Sequence, residues 1–172
     1  MITTRRWPLG GHICIALAKV GFDVAVISPP KSPLRAIDVI TSHFKYGRFA
    51  PLSSIERAIA TASPDLLICA DDWAVAHLHR IYDRASKSPR SKSLANLIET
   101  SLGDPAGFRT AETMTGLIGL AQSEQLPCPK TTIVSSNGML EKALQHATYP
   151  VLLKGDGYSG GGGVTQKQVR RH

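Results

Sequence analysis

Aromatic side chains are scarce in this chain, 6% of 172 residues, so aliphatic groups must build its core. Long apolar runs are missing too, and nothing approaches the roughly 18 consecutive apolar residues of a membrane span. The first eight residues hold the basic pair Arg5-Arg6, but no apolar stretch with a small-residue cleavage site follows. Ile13 to Val20 is the one candidate, and it reads as a buried helix. The expectation is a cytoplasmic protein without a membrane partner. Cysteine is limited to Cys14, Cys69 and Cys128, an odd number set far apart. With no Cys-x-x-Cys pair and no Cys/His spacing, a disulfide framework or zinc site is not indicated. Cys14 and Cys69 sit in apolar runs, where a thiol acts as a small hydrophobe.

Acid is the minority charge: 13 Asp and Glu against 20 Lys and Arg, a formal charge of +7. Residues 1–50 hold seven of the bases and two Asp, and Arg84 to Lys92 holds four bases and no acid. Such a balance can signal nucleic acid. No helix carries a basic stripe, however, and the bases as a set are not interleaved with aromatics. Solvated surface, with affinity for an anionic ligand such as a nucleotide, is the plainer reading.

The pattern of elements is α/β. Met1 to Thr4 reads as a short strand, and Gly10 to Val20 as a helix apolar nearly all round, hence buried on a sheet and closed by Gly21. Asp23 to Ser28 and Leu66 to Ala70 are fully apolar strands. Helices are expected from a cap at Ser53, from Asp71 or Asp72 into Trp73–Asp83, and over Leu94–Leu102. Strands apolar on both faces and separated by helices predict a doubly wound parallel sheet. Ser86 to Ser93 reads as a surface loop, and Gly103-Asp104-Pro105 as a boundary between residues 1–104 and 105–172. Beyond it come a helix with Met114, Leu117, Ile118 and Ala121 on one face, an extended Thr131–Val134, a helix capped by Ser136, and a strand Val151–Lys154 opened by Pro150.

That last strand carries the strongest functional signal. It ends in Lys154 and runs into Gly155-Asp156-Gly157-Tyr158-Ser159-Gly160-Gly161-Gly162-Gly163, six glycines in nine residues. Glycine has the highest entropic cost of ordering, so a packed fold has little use for six together. A loop that folds bare N–H groups over phosphates has. The G-x-G-x-x-G match from Gly155 to Gly160 lacks the helix and the later acid of a dinucleotide fingerprint, and Lys154 precedes the glycines rather than following them as in a Walker loop.

Leu126-Pro127-Cys128-Pro129-Lys130-Thr131, the capped helix, Tyr149–Lys154 and Gly160-Gly161-Gly162-Gly163-Val164 together resemble the start of an ATP-grasp domain. Residues 1–104 are similar to the Rossmann-like preATP-grasp domain that precedes it in biotin carboxylase and carbamoyl phosphate synthetase large subunits. The resemblance implies a partial α+β ATP-grasp subdomain over residues 105–172, ATP and Mg²⁺ as cofactors, and a small carboxylate substrate phosphorylated for attack by a nucleophile. It places Lys154 at the ATP phosphates and Ser159, Gly160, Gly161, Gly162 and Gly163 in the loop that closes over them. The family's second basic residue falls on Met114, with Arg109 a turn upstream. The family's Mg²⁺ ligands have no counterpart in Gln166–His172, which reads as neither helix nor metal strand, so the chain is expected to be the N-terminal portion of such an enzyme.

Other readings compete. One is a non-catalytic Rossmann-like regulatory or interaction domain with a flexible glycine-rich tail. Another is a basic nucleic-acid binder. Pro8-Leu9-Gly10-Gly11 reads as a strand-to-helix turn before an anion loop, and His77 and His79, on different helix faces, as surface or capping groups rather than a metal pair. Ser28 ends the second strand, where a NAD-binding domain wants an acid.

Overall fold

The structure, a computed structural model, describes residues 1–153, Gly155 and, as backbone alone, 167–169. It contains two compact units, Met1–Ala106 and a second that begins at Gly107.

In the first unit the helices are α1 (Leu9–Lys19), α2 (Pro51–Ala62), α3 (Asp72–Ala85) and α4 (Lys92–Leu102), and the strands are β1 (Val24–Ser28) and β2 (Ile40–Lys45). β1 and β2 pair in parallel. Ile2 forms parallel bridges to both Ile27 and Cys69. Thr3 N donates to Ile27 O and Ile27 N to Met1 O, both at 3.0 Å, while Ile2 N donates to Ile68 O at 2.8 Å and Ala70 N to Ile2 O at 2.9 Å. Four extended segments therefore lie side by side and point the same way, in the order β2, β1, Met1–Thr3, Ile68–Ala70. The predicted strand Leu66–Ala70 pairs only at its far end and is not a regular strand. Leu66 is half-exposed, so the segment enters the sheet late. β2 was not apparent in the sequence: its burial alternates poorly, and among the described residues it pairs only with β1.

α1 differs from expectation. Only Gly10, Gly11 and Cys14 are buried, and Leu9 and Val20 are exposed. One face packs on Val24, Val26, Leu34 and Ile40 with Leu17 and Ala18 beside them, and an apolar sequence was not enough to cover the other. The two glycines let the helix sit close: a Cβ at Gly10 would lie 2.6 Å from Met1 Cε, and one at Gly11 2.7 Å from Ile37 Cδ1. Gly21, with φ +93°, takes the left-handed conformation that ends the helix.

α2 starts earlier than the sequence suggested. Pro51 is its first residue, where a missing N–H costs nothing and the fixed φ suits the helix. Ser53 therefore lies inside the first turn. The neighbouring Ser54 hydroxyl donates to Pro51 O at 2.8 Å and accepts from Gly47 N at 3.0 Å. α3 buries Ala74, Leu78, Ile81 and Ala85. It is tied to α2 by Arg84–Glu56 at 2.7 Å and to α4 by the Tyr82 hydroxyl donating to Glu99 at 2.5 Å. Within the expected surface loop, Pro89–Ser91 forms a 3₁₀ turn that leads straight into α4.

The second unit holds α5 (Phe108–Ala111), α6 (Met114–Ser123), α7 (Asn137–Gln145), β3 (Val151–Leu153) and β4 (Lys167–Val169). Thr113 caps α6, accepting from Gly116 N at 2.9 Å, and Ser136 caps α7, accepting from Met139 N at 3.3 Å. Thr131–Val134 forms no regular strand among the described residues. Pro127 and Pro129 deprive its approach of two donors. β3 and β4 pair antiparallel, Val151 with Val169 and Leu153 with Lys167. Within 166–172, expected to be neither the family's next helix nor its metal strand, three residues form this strand.

Candidate functional site

The predicted phosphate site divides between described and undescribed residues. Lys154, Ser159, Gly160, Gly161, Gly162 and Gly163 lie outside the described residues. What is described is their frame. β3 leads into the glycine-rich stretch and β4 leads out of it, so the stretch links two paired antiparallel strands. Gly155 is exposed, and a Cβ there would meet nothing within 4 Å. Before β3, the Tyr149 hydroxyl donates to Leu144 O at 3.0 Å, and the Tyr149-Pro150 peptide is cis. Met114 stands at the first position of α6 and carries no charge, and Arg109 is exposed on α5.

A second cluster stands where the parallel segments of the first unit end. Asp71 is its centre. One carboxylate oxygen accepts from Thr3 Oγ1 at 2.9 Å and Thr4 N at 2.7 Å, and the other from Thr4 Oγ1 at 2.8 Å and Ala74 N at 3.0 Å. Asp71 is thus the α3 cap that the sequence indicated, and it also clasps the first segment to the fourth. With four donors on two oxygens, its capacity is spent inside the protein.

Beside it, the Tyr46 hydroxyl and His77 Nε2 lie 2.9 Å apart. The two rings stack at 6.0 Å between centroids, and Trp73 lies 6.3 Å from the imidazole on its other contact. Burial holds the His77 imidazolium below the usual histidine range. Arg80 pushes the same way, and Asp71 opposes both. Burial and the Asp71 charge raise the Tyr46 phenol. The Cys69 thiol, next to Asp71 and half-buried, is pushed up to about 12 by burial first and by Asp71 second. At neutral pH this edge therefore holds a neutral imidazole, a neutral phenol, a protonated thiol and one fully engaged carboxylate.

His77 and His79 are both 5% exposed, which corrects their reading as surface or capping groups. Their spacing does direct them to different surroundings, but α3 is covered on more than one side, so both directions are interior. Among the described residues no group of three His, Cys, Asp or Glu is placed to hold a metal ion. Ser28 closes β1 and is buried. The stretch Pro8–Gly11 is the start of α1, with Gly11 N donating to Pro8 O at 2.8 Å, as expected of a strand-to-helix turn. Cys14 is fully buried, in keeping with a hydrophobic role.

The Tyr46–His77 pair was missed in the sequence because β2 was missed: without that strand nothing brings Tyr46 to α3. No family model and no curated protein matches the chain. No helix among the described residues is long and apolar enough to cross a membrane.

Proposed function

We propose that the chain binds a nucleoside triphosphate through the segment linking β3 to β4, as part of an ATP-grasp-like carboxylate-activating enzyme. One observation carries this reading: the run from Lys154 through Gly163 is framed by an antiparallel strand pair, Val151–Leu153 with Lys167–Val169. A glycine-rich connection between two such strands can present successive backbone N–H groups to phosphate oxygens without side chains in the way. Lys154, next in sequence after β3, adds a compact point charge to the same segment. Phosphoryl transfer depends on positioning and charge stabilisation, so these are suitable tools.

The finer fold reading belongs with this proposal. The segment order β2, β1, Met1–Thr3, Ile68–Ala70 matches the first four positions of a doubly wound sheet of the 3-2-1-4 kind. That supports a Rossmann-like preATP-grasp domain ahead of the nucleotide segment. The described residues offer Mg²⁺ no cluster of ligands, so no step is drawn through it. A carboxylate as the phosphoryl acceptor rests on the resemblance alone.

The test is calorimetric titration of MgATP into the full chain and into Lys154→Ala, with the exposed Lys130→Ala as a charge-matched control. Removing one charge-assisted contact should weaken ATP by roughly 10- to 100-fold in Lys154→Ala and leave Lys130→Ala like the parent. Equal affinity in all three proteins, or no binding to the parent, would overturn the proposal.

A further inference from the structure

Charge is sorted across the parallel segments of the first unit in a way the linear sequence conceals. Three of the four segments are entered past an acid: Asp23 stands before β1, Asp38 before β2, and Asp65 before the fourth segment. The loops that leave the other three segments, β2, β1 and Met1–Thr3, carry bases, whereas the fourth leaves through Asp71 and Asp72. Arg5, Arg6 and Trp7 follow the first, Lys31 follows β1, and Arg48 and Phe49 follow β2. Because all four segments run parallel, the leaving loops share one edge and the entering loops share the other. No described acidic side chain forms an ion pair with Arg5, Arg6, Lys31 or Arg48. The acids at that edge are Asp71, whose oxygens are occupied by Thr3, Thr4 and Ala74, and the exposed Asp72.

Three helices also begin there, and of these α3 carries Asp71 and Asp72 at its start. Neither α1 nor α2 has an acidic residue in its first turn or a side chain capping its N–H groups. Their positive ends add to the basic loops. Aromatic faces complete the surface: Phe49 is 101% exposed and Trp7 41% exposed. In a core short of aromatic residues, leaving these two outside, each next to an arginine in sequence, is a poor use of them for packing.

We propose that this edge binds a single strand of nucleic acid, with Arg5, Arg6, Lys31 and Arg48 on phosphates and Trp7 and Phe49 each stacked on a base. The spacing favours a strand over one nucleotide. The Trp7 and Phe49 loops leave segments two positions apart, about 10 Å at their roots. Clamping a single ring from both faces needs about 7 Å. Rings rooted that far apart suit one base each, and the loop that carries Lys31 leaves β1, the segment between their roots. This surface is separate from the segment linking β3 to β4 and does not depend on how that segment is read.

The test is fluorescence anisotropy of a labelled 12-nucleotide oligothymidylate with the full chain. Log affinity against log salt should fall with a slope of about −3, from four phosphate contacts at −0.7 each. Phe49→Ala, whose ring touches no packing, should weaken binding roughly tenfold without changing that slope. Arg48→Ala should weaken it and flatten the slope by about 0.7. Lys87→Ala/Arg90→Ala removes two bases from the α3–α4 connection, away from this edge, and should bind like the parent. The proposal fails if that double variant loses as much as Arg48→Ala, because diffuse charge would then be responsible. It fails equally if a 12-base-pair duplex binds as tightly as the single strand, if ATP displaces the labelled strand as effectively as unlabelled oligothymidylate does, or if no binding is seen.

Discussion

The hydroxyl of Tyr46 lies 2.9 Å from Nε2 of His77, joining the residue after β2 to the second turn of α3. The pair is neutral on both sides at pH 7, and His77 contributes to the protein's response to pH. Burial holds the folded His77 below its ordinary value. Just under pH 6.5 the unfolded chain therefore carries more protons on this residue than the folded one, and stability rises with pH across that window. The contribution is complete above the usual histidine range and lost as pH falls through it. Thermal midpoints between pH 5 and 8 should climb more steeply for the parent than for His77→Gln. Parallel curves would show that the imidazole does not titrate as described.

Asp71 should be the most sensitive single position of the first unit. Its carboxylate caps α3 and accepts three further bonds from Thr3 and Thr4. Asp71→Ala removes an N-cap and leaves Thr4 N without its acceptor, a loss of about 3 kcal/mol. Asp71→Asn keeps one acceptor oxygen and should lose less. Urea denaturation would measure both, and a loss below about 1 kcal/mol for the alanine variant would contradict the clasp.

The thiols should separate cleanly by reactivity. Cys69 is held protonated up to about 12, and Cys14 is also raised by burial. Only the thiolate reacts. At pH 8 a maleimide reagent should modify Cys128 in the native protein and reach Cys14 and Cys69 only on unfolding. Mass spectrometry of peptides reads the order directly, and early modification of Cys69 would contradict the burial.

Gly116 in α6 has no room for a side chain. A Cβ there would collide with the Thr110 carbonyl oxygen and lie 2.9 Å from the Thr113 hydroxyl that caps the helix. A backbone oxygen cannot rotate away. Gly116→Ala should cost about 1 to 3 kcal/mol despite alanine's better helix propensity. Gly119→Ala, three residues on with nothing within 4 Å of its Cβ, should be neutral or slightly stabilising. A thermal shift comparison of the two distinguishes steric conflict from propensity.

Much of the first unit was legible because its signals are local. Val24–Ile27 is apolar without interruption, Gly21 stops α1, and Asp71 precedes a helix with an oxygen to accept from Ala74. β2 was hidden because Thr41, Ser42 and His43 break the apolar pattern, and its strand character comes from pairing with β1. Tyr46 and the burial of His77 followed β2 into obscurity. In the second unit the caps Thr113 and Ser136 obey side-chain chemistry. β4 could not be read from three residues, Lys167-Gln168-Val169, because its partner β3 lies on the far side of the glycine stretch. The sorting of charge was invisible for another reason. Arg5, Lys31 and Arg48 are evenly scattered along the chain, and only parallel pairing gathers them at one edge.

The placement of Met1–Thr3 between β1 and Ile68–Ala70 has a consequence for biosynthesis. Thr3 and Thr4 gain their final partner, Asp71, only when it is made 68 and 67 residues after them. At about 5 to 20 residues per second this is a wait of about 3 to 13 seconds. During that interval the nascent Met1–Thr4 segment has nowhere to dock on one side, and it is then that a chaperone or a protease would find it.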